Sequence, residues 1–129
     1  MAQITEDYVS FETAKLLKEK GFDEPCYAYW HEDENRLIIS QSMYAIQNIT
    51  NPCFFGPAAP TLQMAMKWLR EVHNIHFLLS PFFTKEGNVV YSINVLDKEM
   101  VGSLYDNLNE NTYEEACDAA VKYCLTELI

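Results

Sequence analysis

Glycine, proline and basic side chains are scarce in this 129-residue chain, which has 4 Gly, 5 Pro and 9 Lys+Arg against 19 Asp+Glu. So little glycine and proline excludes a collagen-like repeat or a low-complexity scaffold. Gly21, Gly56, Gly87 and Gly102 each stand alone, so no glycine-rich loop is present to cradle a phosphate. The four cysteines, at 26, 53, 117 and 124, form no CxxC pair. No HExxH, GxSxG or calcium-loop spacing occurs, and no paired-carboxylate motif either. No apolar run approaches the length of a membrane span. A formal net charge of −10 repels phosphate backbones and anionic lipids. Direct nucleic-acid binding and membrane binding are therefore not expected.

What is present is enough to fold. The chain is 49% hydrophobic, and eight Tyr, seven Phe and two Trp can fill a core without metals or disulfides. No linker or repeat interrupts it, so a single domain over residues 1–129 is expected. Residues 1–7 are polar and acidic with no basic, apolar leader, which points to a cytoplasmic protein with reduced thiols.

Charge is uneven along the chain. Residues 1–40 hold 9 acids and 4 bases, residues 86–129 hold 9 acids and 2 bases, and residues 41–85 hold 1 acid and 3 bases. A stretch so poor in charge belongs in a core or at an interface.

Three helices are predicted. Ser10 caps the first, Phe11, Ala14 and Leu17 keep helical spacing, and Gly21 followed by Phe22 suits a Schellman ending. The second runs from Thr61 to about His73 with an inner stripe of Leu62, Ala65, Leu69 and Val72. The third begins at the capping box Thr112-Tyr113-Glu114-Glu115. Its core stripe is Cys117, Val121, Cys124 and Leu128.

Four strands are predicted as two hairpins. Cys26–His31 and Arg36–Ser40 flank an acidic turn at residues 32–35. Ile75–Phe83 and Val89–Leu96 flank Lys85-Glu86-Gly87-Asn88. In the last strand Ser92 and Asn94 alternate with Tyr91, Ile93 and Val95, which suggests a wetter face. Residues 41–60, broken by Pro52, Gly56, Pro57 and Pro60, form a long irregular stretch of the kind that is functional or conceals a strand. The order α-β-β-α-β-β-α gives an α+β fold: an antiparallel sheet of about four strands, with three helices packed mainly on one face.

Candidate chemistry is thin. His73 and His76 have helical ligand spacing but straddle a helix end, so no metal site is assigned and no cofactor is expected. Glu114, Glu115 and Asp118 oppose a thiolate at Cys117. Cys53, with His31 as a base, is a freer nucleophile only if the fold brings them together. The remaining constellation is aromatic: Tyr27, Tyr29, Trp30, Tyr44, Phe54, Phe55 and Trp68. Of these Tyr44, Phe54, Phe55 and Trp68 are taken as an interaction patch, since aromatic side chains on loops anchor interfaces.

Three segments also carry a resemblance. Tyr8–Phe22 (YVSFETAKLLKEKGF), Ala59–Glu71 (APTLQMAMKWLRE) and Thr112–Ile129 together resemble small hypothetical proteins of Bacteroides-type gut bacteria and their phages or integrated elements. The resemblance implies a cytoplasmic origin and a mobile-element setting, and brings no activity and no catalytic residues. The expected function is a non-catalytic protein-interaction module, binding a protein partner or itself, whose acidic surface suits an element-borne accessory protein. The alternative is a small enzyme or ligand-binding domain with a pocket under the 41–60 loop, using Cys53, His31 or Tyr44.

Overall fold

In a computed structural model of the chain, the structure describes residues 6–39, 51, 55–96, 105–110 and 112–129. The fold is α+β and has, among the described residues, three α-helices and five strands in two antiparallel sheets. The backbone gathers into two compact units, Met1–Met64 and Ala65–Ile129.

The first unit opens with α1 (Phe11–Glu19). Ser10 Oγ accepts a hydrogen bond from the Thr13 amide at 3.3 Å, which satisfies one of the orphan donors of the first turn. At the other end Gly21 takes φ +92°, a conformation costly for any residue with a Cβ. The Phe22 amide then reaches Leu17 O at 2.9 Å and the Gly21 amide reaches Lys18 O, the pair of bonds that defines a Schellman ending. Leu17 and Phe22 are both fully buried, beside Ala14 and Val9.

After α1 come β1 (Ala28–His31) and β2 (Arg36–Ile39), paired antiparallel with Tyr29 opposite Ile38 and His31 opposite Arg36. Asn35 closes the acidic turn at φ +50°, a conformation Asn tolerates better than most residues. The other edge of β1 is also occupied. The Trp30 amide donates to Pro57 O, the Glu32 amide to Phe55 O, and the Ala59 amide to Ala28 O. A bridge joins Tyr29 to Ala58 in the same antiparallel register. Residues 55–59 thus act as a short third strand concealed in the irregular stretch.

Two further contacts hold that strand in place. Asn51 donates through Nδ2 to Phe22 O at 2.8 Å and accepts through Oδ1 from the Ala58 amide at 2.9 Å. The Val9 amide binds Pro60 O and the Leu62 amide binds Asp7 O, so residues 7–9 run antiparallel to 60–62.

The helix α2 (Leu62–His73) starts with Thr61 Oγ1 accepting from the Met64 amide. Leu62, Ala65 and Leu69 are buried as the spacing predicts, but Val72 is 58% exposed and Trp68 is buried in its place. The inner stripe therefore leans toward the Trp68 side. Asn74 at φ +55° and a bond from the Ile75 amide to Leu69 O end the helix.

The second unit contains β3 (His76–Phe83), β4 (Val89–Leu96) and β5 (Tyr105–Glu110), in the order β3-β4-β5. The predicted single four-stranded sheet is replaced by sheets of two and three strands. The fifth strand, β5, has the sequence YDNLNE, too polar to read as a strand from its pattern. It pairs with β4 across a register shift between Tyr91 and Ile93.

Ile93 and Val95 of β4 are fully buried, and α3 (Tyr113–Tyr123) packs against β4 and β5. Ser92, expected on a wet face, is only 4% exposed. Thr112 Oγ1 accepts from the Glu115 amide at 3.1 Å, as its capping position predicts. Ala116, Cys117, Ala120, Val121, Cys124 and Leu125 form the buried stripe. At Cys124 the helix widens into one π turn, Cys124–Leu128, where Thr126 Oγ1 donates back to Lys122 O and Tyr123 O.

Candidate functional site

Along β1 successive side chains point to opposite faces. Ala28 and Trp30 share one face. Ala28 is buried, while the Trp30 ring meets Phe11 edge-on at 5.6 Å and its Nε1 donates to Val9 O at 3.0 Å. That face is anchored inside. Tyr29 and His31 share the other.

Phe55 joins them. Its ring lies 5.9 Å from Tyr29 at an interplanar angle of 26°, and 5.7 Å from His31 at 19°. Rings so nearly parallel at that spacing are offset rather than eclipsed, so they tile a surface. Phe55 is 51% exposed, and Tyr27, just before the strand, is 55% exposed.

The placement of Phe55 depends on Gly56. Strict alternation from the Tyr29–Ala58 pairing would send residue 55 to the Trp30 face. At Gly56 the backbone comes so close to β1 that an added Cβ would lie 1.8 Å from Trp30 O. Only glycine permits that approach, and the kink there re-aims Phe55 onto Tyr29 and His31, much as a bulge re-aims a side chain.

The polar rim of this face is defined. His31 Nδ1 accepts from the Glu34 amide at 3.3 Å, which in the neutral ring puts the proton on Nε2. Arg36 meets Glu34 at 2.9 Å, an exposed pair of small energetic weight. Glu32 and Asp33 are exposed beside it. On the α1 side, Lys15, Lys18, Glu19, Glu32 and Pro57 line a cavity of about 320 Å³. Among the described residues, no thiol or imidazole lines it.

The predicted patch is split. Phe55 is exposed and stacked. Trp68 is 7% exposed, with its ring edge-on to His73 at 4.8 Å, so it serves the core rather than an open surface. Tyr44 and Phe54, like Cys53, lie outside the described residues. Tyr29 and His31 were missing from the predicted patch, although their two-residue spacing was the signal that could have placed them together.

The described thiols are not poised for attack. Burial first, and the carboxylate of Glu24 second, push the Cys26 thiol up to about 12. Burial, with Glu114 and Asp118 adding to it, pushes Cys117 up to about 11, and burial pushes Cys124 to about 12. His73 ends α2, and His76 Nε2 pairs with Asn74 Oδ1 at 3.0 Å. Among the described residues no group of three His, Cys, Asp or Glu side chains is placed to hold a metal ion. Nor is any described helix long and apolar enough to cross a membrane.

No protein-family model, no curated protein and no solved structure matches this chain.

Proposed function

We propose that this chain is a non-catalytic, cytoplasmic protein-interaction module that docks a protein partner on the aromatic face of its first hairpin. One observation carries the reading: a half-exposed Phe55 ring laid flat against Tyr29 and His31, with exposed Tyr27 at the other end of the strand. Aromatic side chains that are rigid yet accessible are the usual anchors of binding surfaces. An acidic accessory role in a mobile element fits the net charge of −10. The same charge on two copies favours a different protein over self-association.

Native mass spectrometry of the protein purified from the cells that make it tests this. The expected result is a complex with another protein that is lost in Phe55→Ala, with the variant still folded by circular dichroism. A complex indifferent to Phe55→Ala overturns the reading, as does a bound small molecule with no protein partner.

A further inference from the structure

The second unit leaves one strand edge unused. The Thr84 amide donates to Asn88 O at 2.8 Å, which turns the Thr84 backbone toward β4. Antiparallel backbones alternate in direction, and the register from His76 to Phe83 is unbroken. Leu78, Ser80 and Phe82 therefore also direct their backbone groups at β4, whereas Phe77, Leu79, Pro81 and Phe83 direct theirs away. Pro81 agrees, since a proline in a sheet sits where its missing N–H would face an open edge. β3 ends the order β3-β4-β5, and among the described residues nothing pairs with its outer edge. The same strand displays Leu78 at 56% exposure, Phe82 at 51% and Phe83 at 76%. An open edge with exposed apolar side chains is a template for another strand.

The pattern of β3 is complementary to itself. Two copies laid antiparallel about a two-fold axis at Ser80 set Leu78 of each opposite Phe82 of the other on one face. On the other face Phe83 of each meets Phe77 of the other. Every outward backbone then opposes an outward backbone. Phe77 and Phe83 exchange both bonds, Leu79 donates to Pro81 O, and only the donor that proline lacks is missing. An axis at Leu79 instead sets Leu78 against Ser80, and Phe83 against Ile75, whose amide already serves Leu69 O.

Charge selects the same place. The net charge of −10 opposes two copies meeting across acidic surfaces, but no Asp or Glu occurs between Glu71 and Glu86. With the axis at Ser80 the two Lys85 side chains fall at opposite ends of the contact, away from each other.

We propose that two copies of this chain pair β3 edge to edge, antiparallel about Ser80, and so join their three-stranded sheets into one. The pairing uses no residue of the aromatic face. One strand edge and a few rings make a contact below standard interface size, so the association is micromolar. The two-fold occupies both β3 edges at once, and growth through β3 stops at the dimer.

Sedimentation equilibrium of the full chain across the micromolar range should show monomer and dimer in exchange. Ser80→Asp sets like charges together at the axis and should weaken the dimer about tenfold. Phe82→Ser removes a ring from two symmetric contacts and should weaken it about thirtyfold. Circular dichroism checks that each variant folds. Cross-linking reads the register independently, in a Cys53→Ser background. Ser80→Cys should form a covalent dimer under mild oxidation, because residues opposed at that axis have Cα atoms about 4.5 Å apart, within disulfide reach. Leu78→Cys should not, since its counterpart lies about 13 Å along the other strand. A chain that stays monomeric throughout the range overturns the inference. So does a dimer that withstands both substitutions, or one that cross-links as readily through Leu78→Cys. If a monomer loses a different protein on Ser80→Asp, the edge serves a foreign strand and self-pairing is likewise refuted.

Discussion

The two units of this molecule solve the problem of covering a small sheet in different ways. In the second, β3, β4 and β5 pair in order, and α3 covers β4 with a continuous apolar stripe from Ala116 to Leu125. Its stability rests on ordinary side-chain burial. In the first, the hairpin β1–β2 gains its third member from Phe55-Gly56-Pro57-Ala58-Ala59, a segment with no strand periodicity. Backbone hydrogen bonds and two small, fully buried alanines hold it. The two sheets also display their large apolar side chains differently: the first unit half-exposes Phe55 on a strand recruited by backbone bonding, whereas the second exposes Leu78, Phe82 and Phe83 along β3, the strand that α3 does not cover.

The sharpest way to break the second unit is through its packing. Ile93→Ala, at a fully buried position of β4, should cost about 2–5 kcal/mol in urea unfolding, because it combines lost transfer energy with a cavity. Gly56→Ala attacks the first unit through the backbone instead. Its Cβ has no room against Trp30 O, so residues 55–59 must retreat, at a cost of about 2–3 kcal/mol. Hydrogen exchange separates the two variants: Gly56→Ala should expose the Trp30, Glu32 and Ala59 amides, and Ile93→Ala should not single them out. Unchanged protection of those three amides in Gly56→Ala would refute the account of the third strand.

Asn51 offers a finer test of the same strand. Asn51→Ala removes the bonds to Phe22 O and from the Ala58 amide, for about 2 kcal/mol. Asn51→Asp keeps an acceptor for Ala58 but loses the donor to Phe22, so the Ala58 amide should stay protected in that variant alone.

The smallest effect is alkaline, and its sign follows from burial. Folded Cys26, Cys117 and Cys124 hold their protons to about 11 or 12, whereas the ordinary thiol value is 9.0. Unfolded thiols ionise first, so stability is full below pH 9 and declines as pH climbs toward 12. At pH 10 each thiol should account for about 1 kcal/mol. Melting curves from pH 8 to 10.5 check this. The slope should shrink in Cys117→Ala and again when Cys124→Ala is added.

Much of the local structure was legible because short-range chemistry decides it. Ser10 and Thr112 cap helices since a hydroxyl three residues before an orphan amide has few better uses. Gly21 ends α1 because the left-handed turn admits little else. The turn at residues 32–35 and the limits of β4 follow from alternation bounded by polar residues. Wider reach defeated the same reasoning. Val72 and Trp68 lie a single helical turn apart, and which of them is buried depends on what stands opposite. The polar string of β5 becomes a strand because β4 offers it a hydrogen-bonding edge.

The candidate site divides along that line. The sequence alone determined that Cys26–His31 would be extended, with side chains two residues apart on one face, and that an acidic turn would follow His31. Tertiary structure decided that Phe55 joins the face of Tyr29 and His31 while Trp68 does not. The reason is physical. Alternation along one strand is a property of the local backbone, but the side to which Phe55 turns depends on how closely Gly56 approaches the carbonyl of Trp30, twenty-six residues earlier in the chain.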